Sequence, residues 1–171
     1  STAVHIWFLA GKTVKAFAIK SGMADSVVST LSGIFSYPPL KTGQTTVYAV
    51  GDNGTNQTGS ARGYTGPTQH ATYTSNYTTK DNATGLVWKT CSQGLSGANC
   101  ATGTAVTLTW VNASADPTNG CSALNSANNG NGYAGLKTWR LPSIQELETL
   151  LDFGKSNSAI NTTAFPATVA D

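Results

Sequence analysis

The sequence predicts an α+β chain of short strands and few helices, and three observations carry that expectation. A helix start is written out at Ser143–Glu146. Short runs rich in β-branched and aromatic residues stand at 45–50, 86–89 and 106–110, with turn residues around them. Charged residues make up only 11% of a chain rich in Gly, Ser, Thr and Asn, which suits a loop-rich surface protein better than a cytosolic enzyme.

The elements follow in chain order. Trp7, Ala10, Val14, Phe17, Ala24, Val28, Leu31 and Phe35 recur at steps of three, four and one of seven, a heptad-like seam that predicts a mainly helical, apolar segment over residues 1–36. Gly11, Gly22, Gly33, Val27, Val28 and Thr30 lower helix propensity there, and Val14, Ala16 and Ala18 with Lys15 and Lys20 leave a strand open. So wide an apolar surface must pack on the domain or on other copies of the chain. Trp7, Val14, Phe17, Val28, Leu31 and Phe35 are therefore candidate assembly residues. Pro38 and Pro39 stop any helix, making residues 37–44 a linker and 45–171 the domain proper.

Within that domain Thr45–Val50 reads as a strand and Gly51–Gly54 as its turn. Residues 53–80 carry little periodicity and are expected to be surface loops with short strand pieces such as Ala71–Tyr73. Leu86–Lys89 and Val106–Trp110 are the better strand candidates, and Asn128–Gly132 makes a turn before Tyr133. At Ser143 a capping box is expected. The Ser143 hydroxyl accepts from the Glu146 amide while the Glu146 carboxylate accepts from the Ser143 amide. Ile144, Leu147, Leu150 and Leu151 share one helical face, and Gly154 stands where a left-handed C-terminal cap belongs.

The wording Asp81, Asn82, Ala83, Thr84, Gly85, Leu86, Val87, Trp88, then Trp110 and Cys121, then Thr138, Trp139, Arg140, Leu141, Pro142, Ser143, Ile144, Gln145, Glu146, Leu147 resembles the C-terminal domain family of bacterial collagen-like adhesins, over residues 41–171. The resemblance implies a C-type-lectin-like fold and a secreted recognition domain, some relatives of which bind sulfated polysaccharides. It makes Trp88, Trp110, Trp139, Arg140, Pro142, Ser143 and Glu146 structural motif residues. It also implies a second helix at Ala113–Asn125, interrupted here by Pro117 and Gly120. Family members usually continue past the Asn161–Pro166 segment into further strands. The chain is thus expected to be a fragment, to lack those strands, or to be completed by another chain.

Cys91 and Cys100 enclose eight residues, a loop short enough to close, so a disulfide is expected in an oxidising compartment. Cys121 is left over. In the family pattern its partner would lie in the missing part, which makes it a free or intermolecular thiol. His5 and His70 are isolated, so the sequence offers no zinc pattern and no cofactor is expected.

Function classes narrow in the same way. A net charge of +2 does not imply nucleic acid, and no apolar run of about 18 residues spans a membrane. The Arg140–Ser143 wording is also similar to the formylglycine-generating enzymes, yet their copper-holding cysteine pair is absent. No nucleophile elbow with a histidine occurs, and Glu146 and Glu148 are two apart on a helix, so they point in different directions. A non-enzymatic extracellular domain is expected, with neither motif of the calcium-dependent lectins. Lys80, Lys89 and Lys137, with Tyr73 and Tyr77, are the candidate ligand contacts for a sulfated or other polysaccharide. Arg140 is expected to be partly buried. The alternative is a subunit of a pilus-like filament assembled through residues 1–36, with the chain itself as partner.

Overall fold

The computed structural model describes residues 3–9, 13–19, 29–31, 39–155 and 158–168. It divides into two compact units, Ser1–Pro38 and Pro39–Asp171.

The first unit corrects the helical expectation. Its described residues form three antiparallel strands, β1 (Ala3–Leu9), β2 (Thr13–Ile19) and β3 (Ser29–Leu31), in the order β1-β2-β3. β1 and β2 pair along their whole length, from Ala3 opposite Ile19 to Leu9 opposite Thr13. The seam was a matter of spacing alone, whereas Val4, Ile6, Trp7 and Phe8 on β1 and Thr13, Val14, Phe17 and Ile19 on β2 are residue types whose stiff or aromatic side chains favour a pleated backbone. Trp7, Val14, Phe17 and Leu31 thus lie on strands. Val28, Phe35 and the linker positions 37 and 38 lie outside the described residues.

The second unit is an α+β arrangement of two small antiparallel sheets and short helices. Its main sheet has the order β4 (Tyr64–Gln69), β5 (Tyr77–Asp81), β6 (Val87–Lys89). A bulge between Thr65 and Thr68 interrupts the β4–β5 ladder at Gly66 and Pro67, where proline has no N–H to give. Gly66 has φ +135°, and a Cβ there would stand 2.7 Å from the Thr78 carbonyl oxygen, so only glycine fits. This breaker pair is why residues 53–80 read as loop although two strands lie among them. Ala71–Tyr73, expected as a strand piece, is instead part of the connection between β4 and β5.

Four more expectations are corrected. Residues 45–50 form no strand, because the Asp52 carboxylate accepts from the Tyr48, Ala49 and Thr55 amides at 2.8, 3.2 and 2.9 Å and winds the segment into a turn ahead of α1 (Asn53–Asn56). These bonds hold the Asp52 carboxyl down at about 2. Val106–Trp110 is not a strand either. Thr109 caps α2 (Trp110–Ala115) by accepting from the Asn112 amide. Asp116 then takes the Thr118 and Asn119 amides, which separates α2 from α3 (Cys121–Gly130), so the single expected helix is two. Near the C-terminus α4 spans Ile144–Glu148 with the expected capping box, but it ends at a right-handed Thr149 and not at Gly154.

The hydrophobic core is small. Leu150, Ala164 and Phe165 are buried, with Tyr64, Trp88 and Ile160 packed against them, and Tyr64 meets Phe165 edge-on at 5.4 Å. Of the expected apolar face only Leu150 enters it, while Ile144 and Leu147 are exposed. Buried hydroxyls supplement the core. Thr79 is fully buried on β5; its hydroxyl donates to the Ala164 carbonyl at 2.8 Å and meets the Thr90 hydroxyl at 2.9 Å. Cys91 and Cys100 are bonded, with Cα atoms 5.3 Å apart; β7 (Leu95–Ser96) inside their loop pairs with β8 (Thr102–Gly103) just beyond it.

Candidate functional site

An open groove of about 590 Å3 lies between β6 and the segment that leads into α4. Gly85 to Lys89 form one wall; Thr138, Trp139, Arg140, Pro142 and Glu146 form the other, and Cys121, Leu124 and Leu136 complete it. Six of the seven expected motif residues belong to this region, since Ser143 caps the helix whose Glu146 reaches the rim. Trp88, Trp139, Arg140, Pro142 and Glu146 line the groove itself, whereas Trp110 stands elsewhere, largely exposed at the start of α2.

Trp139 is held from three sides. Its amide donates to Asn125 Oδ1 at 2.7 Å, its carbonyl accepts from Asn125 Nδ2 at 2.9 Å, and its indole Nε1 donates to the Tyr133 carbonyl at 3.0 Å. The Tyr133 ring meets the indole edge-on at 5.7 Å. Tyr133 in turn ties the groove to β5, its hydroxyl accepting from the Tyr77 amide at 2.9 Å and donating to the Tyr77 carbonyl at 3.2 Å. Burial pushes the Tyr133 hydroxyl above its ordinary range. An aromatic wall fixed in this way meets a ligand with little conformational entropy left to lose. Trp88 differs, because its indole Nε1 is buried with no hydrogen-bond partner among the described residues.

The rim is charged and paired. Arg140 corrects the expectation of partial burial: its side chain is 62% exposed and grips Glu146 through two bonds of 2.5 and 2.7 Å. Glu146 also accepts from the Ser143 amide at 2.7 Å. The Arg140 bond, then the Ser143 amide, hold the Glu146 carboxyl at about 2. At the other end Lys89 is not a solvated surface lysine. Its ammonium donates to the carbonyls of Cys91, Ser92 and Leu95 at 2.7, 3.1 and 3.3 Å and lies 5.7 Å from the centre of the Tyr133 ring. Desolvation lowers it to about 8, and its work is to fasten the disulfide loop to the sheet.

Of the other candidate ligand contacts, Lys80 and Lys137 are exposed, Tyr77 is half-buried on β5, and Tyr73 stacks on His70 at 4.9 Å; none of the four lines the groove. Cys121 does line it, as a half-buried free thiol raised by desolvation. Leu124 and Leu136 were missed in the sequence. Their only signal is the apolar spacing from Cys121, too short a pattern to mark a wall. Among the described residues no group of three or more His, Cys, Asp or Glu side chains is placed to hold a metal, and no helix is long and apolar enough to cross a membrane.

The aromatic groove lies on a small α+β scaffold, and the family model that the chain matches associates this scaffold with bacterial surface adhesins. The chain belongs to the Lcl C-terminal domain family, whose model matches residues 77–171, more than half of its length. The match begins at β5, later than the residue 41 suggested by the motifs. Comparison with curated proteins and with solved structures yields no match.

Proposed function

We propose that this chain is an extracellular, surface-displayed recognition domain that holds its ligand in the Trp88–Trp139 groove and carries out no chemistry on it. The single observation behind this reading is that residues scattered between 85 and 146 meet in one open cleft with a preorganised indole on its wall. An indole face supports the apolar face of a sugar ring or an apolar side chain of a polypeptide, and Arg140 and Glu146 supply polar contacts at the edge. Sulfated and other polysaccharides are one ligand class, with Lys80 and Lys137 as outlying cationic contacts. The test is adhesion of the purified chain to immobilised polysaccharide and to bacterial surfaces, beside the Trp139→Ala variant. At least a tenfold loss supports the groove as the site, and unchanged adhesion removes it. A second reading, a filament subunit assembled through residues 1–36, is favoured by the separate unit of apolar strands at the N-terminus.

A further inference from the structure

β6 is an edge strand with an unusual neighbour. Among the described residues it pairs with β5 on one side only. The Asp81 amide donates to the Leu86 carbonyl and the Thr90 amide to the Tyr77 carbonyl, which places residues 86, 88 and 90 in the positions bonded to β5. By the alternation of an antiparallel ladder, the N–H and C=O groups of Val87 and Lys89 point away from β5. Neither has a backbone partner among the described residues. Soluble proteins normally blunt such an edge with charge, proline or a covering loop. Here the space beside it is the groove, walled opposite by Leu124, Leu136 and Trp139.

We propose that the outer edge of β6 takes an extended strand of a second copy of this chain, its β1 (Ala3–Leu9), so that the groove is filled by strand addition between copies. The inference rests on the groove being the recognition surface and names its occupant. β1 suits the role on the page. It is itself an edge strand, paired with β2 alone among the described residues. Its sequence, Ala-Val-His-Ile-Trp-Phe-Leu, carries no acidic or basic residue besides His5, and no proline or glycine to blunt an edge. Two open edges on one chain complement one another, the Lys89 charge of β6 being turned onto the carbonyls of the disulfide loop: main-chain bonds to Val87 and Lys89 supply affinity, and apolar side chains entering the groove supply register. Because donor and acceptor lie at different places on the chain, the contact is head-to-tail and generates rings where its rotation closes and open assemblies where it does not.

The experiment is amide hydrogen exchange on the intact chain at rising concentration, alongside sedimentation velocity. Association with at least tenfold slower exchange at the Val87 and Lys89 amides, and less change at the already bonded Thr90 amide, is the expected result. Val87→Pro removes one outward N–H without touching the bonds to β5 and is expected to weaken association at least tenfold. Leu136→Glu places a charge in the opposite wall and serves the same purpose should the proline variant fail to unfold cooperatively. A lysine-flanked peptide of residues 3–9 is expected to bind and to compete. A chain that stays monomeric, or that associates while Val87 and Lys89 exchange freely, overturns the inference. Loss of surface adhesion in Trp139→Ala with a monomeric, freely exchanging chain overturns the strand but keeps the groove. Self-association protected at β6 with no adhesion that depends on Trp139 supports the strand and overturns the wider recognition role.

Discussion

Replacing Thr79 by valine removes a hydroxyl while keeping the shape of the side chain, and the geometry around it sets the cost. Thr79 is fully buried and joins two groups that have no other partner described, the Thr90 hydroxyl and the Ala164 carbonyl. Losing a buried partner costs about 1–3 kcal/mol for a group left unsatisfied, and the added methyl returns about 0.8 kcal/mol at most. With two groups left unsatisfied and that return subtracted, the net expectation is a destabilisation of about 1–5 kcal/mol. The geometry makes a sharper claim. In the double variant Thr79→Val with Thr90→Val, the orphaned Thr90 hydroxyl is gone as well, so the double variant is expected to be more stable than Thr79→Val alone, by about 1 kcal/mol. Urea unfolding followed by tryptophan fluorescence measures both differences, with unchanged slopes required for the comparison. A Thr79→Val midpoint within about 0.5 kcal/mol of the parent would refute the view that buried hydroxyls supplement this small core. A double variant less stable than the single one would place the coupling elsewhere.

Other expectations follow from the same geometry. Converting Cys91 and Cys100 both to alanine opens a loop of sequence separation 9, for which chain entropy gives a loss of about 2.7 kcal/mol, measurable by thermal unfolding against the oxidised parent. Glu146 is held at about 2 when folded, below its unfolded value near 4.3, so its contribution is present above that unfolded value and disappears as pH falls toward 2; Ser143→Ala, expected to cost about 1 kcal/mol at neutral pH, should cost less at pH 2, as acid titration of the two chains would show. The raised Cys121 thiol is expected to alkylate more slowly at pH 8 than a cysteine in an unfolded peptide, and its alkylation is expected to reduce adhesion because the thiol lines the groove.

Much of the groove was legible in the sequence because its parts carry local signals. Ser143 and Glu146 identify a helix start by spacing alone, and the structure has that box. Cys91 and Cys100 identify their loop by its length, and β6 follows from the apolar run before Lys89. What failed depends on partners distant in the chain. β4 was hidden by Gly66 and Pro67, whose bulge makes sense only opposite β5. The seam of residues 7–35 satisfied helical spacing, but residue type won, and strands formed. Arg140 read as partly buried because it stands beside Trp139 and two residues before Pro142, yet its neighbour in space is Glu146, six residues on, which draws it to the surface. Lys89 read as a ligand contact from its type alone. Three carbonyls of a disulfide loop turned it inward, and no spacing rule announces that.

The Arg140–Glu146 pair bears on which ligands the groove can accept. Both terminal nitrogens of the guanidinium already meet the carboxylate, so a sulfate or carboxylate that binds Arg140 must displace Glu146. Displacement exposes a second cost, because the same carboxylate accepts the Ser143 amide and caps α4. An anionic ligand therefore works against a paired charge and a helix start, whereas an apolar strand or a neutral sugar entering beside Trp139 leaves both intact. Glu146→Gln removes the competing charge, and the side-chain oxygen can still accept the Ser143 amide. If Arg140 is an anion contact, this variant is expected to bind sulfated polysaccharide at least fivefold more tightly than the parent at low salt, with a steeper loss as salt is raised. Equal binding by the two chains would show that Arg140 serves the scaffold, and that selection in the groove is made by the tryptophan wall and the open edge of β6.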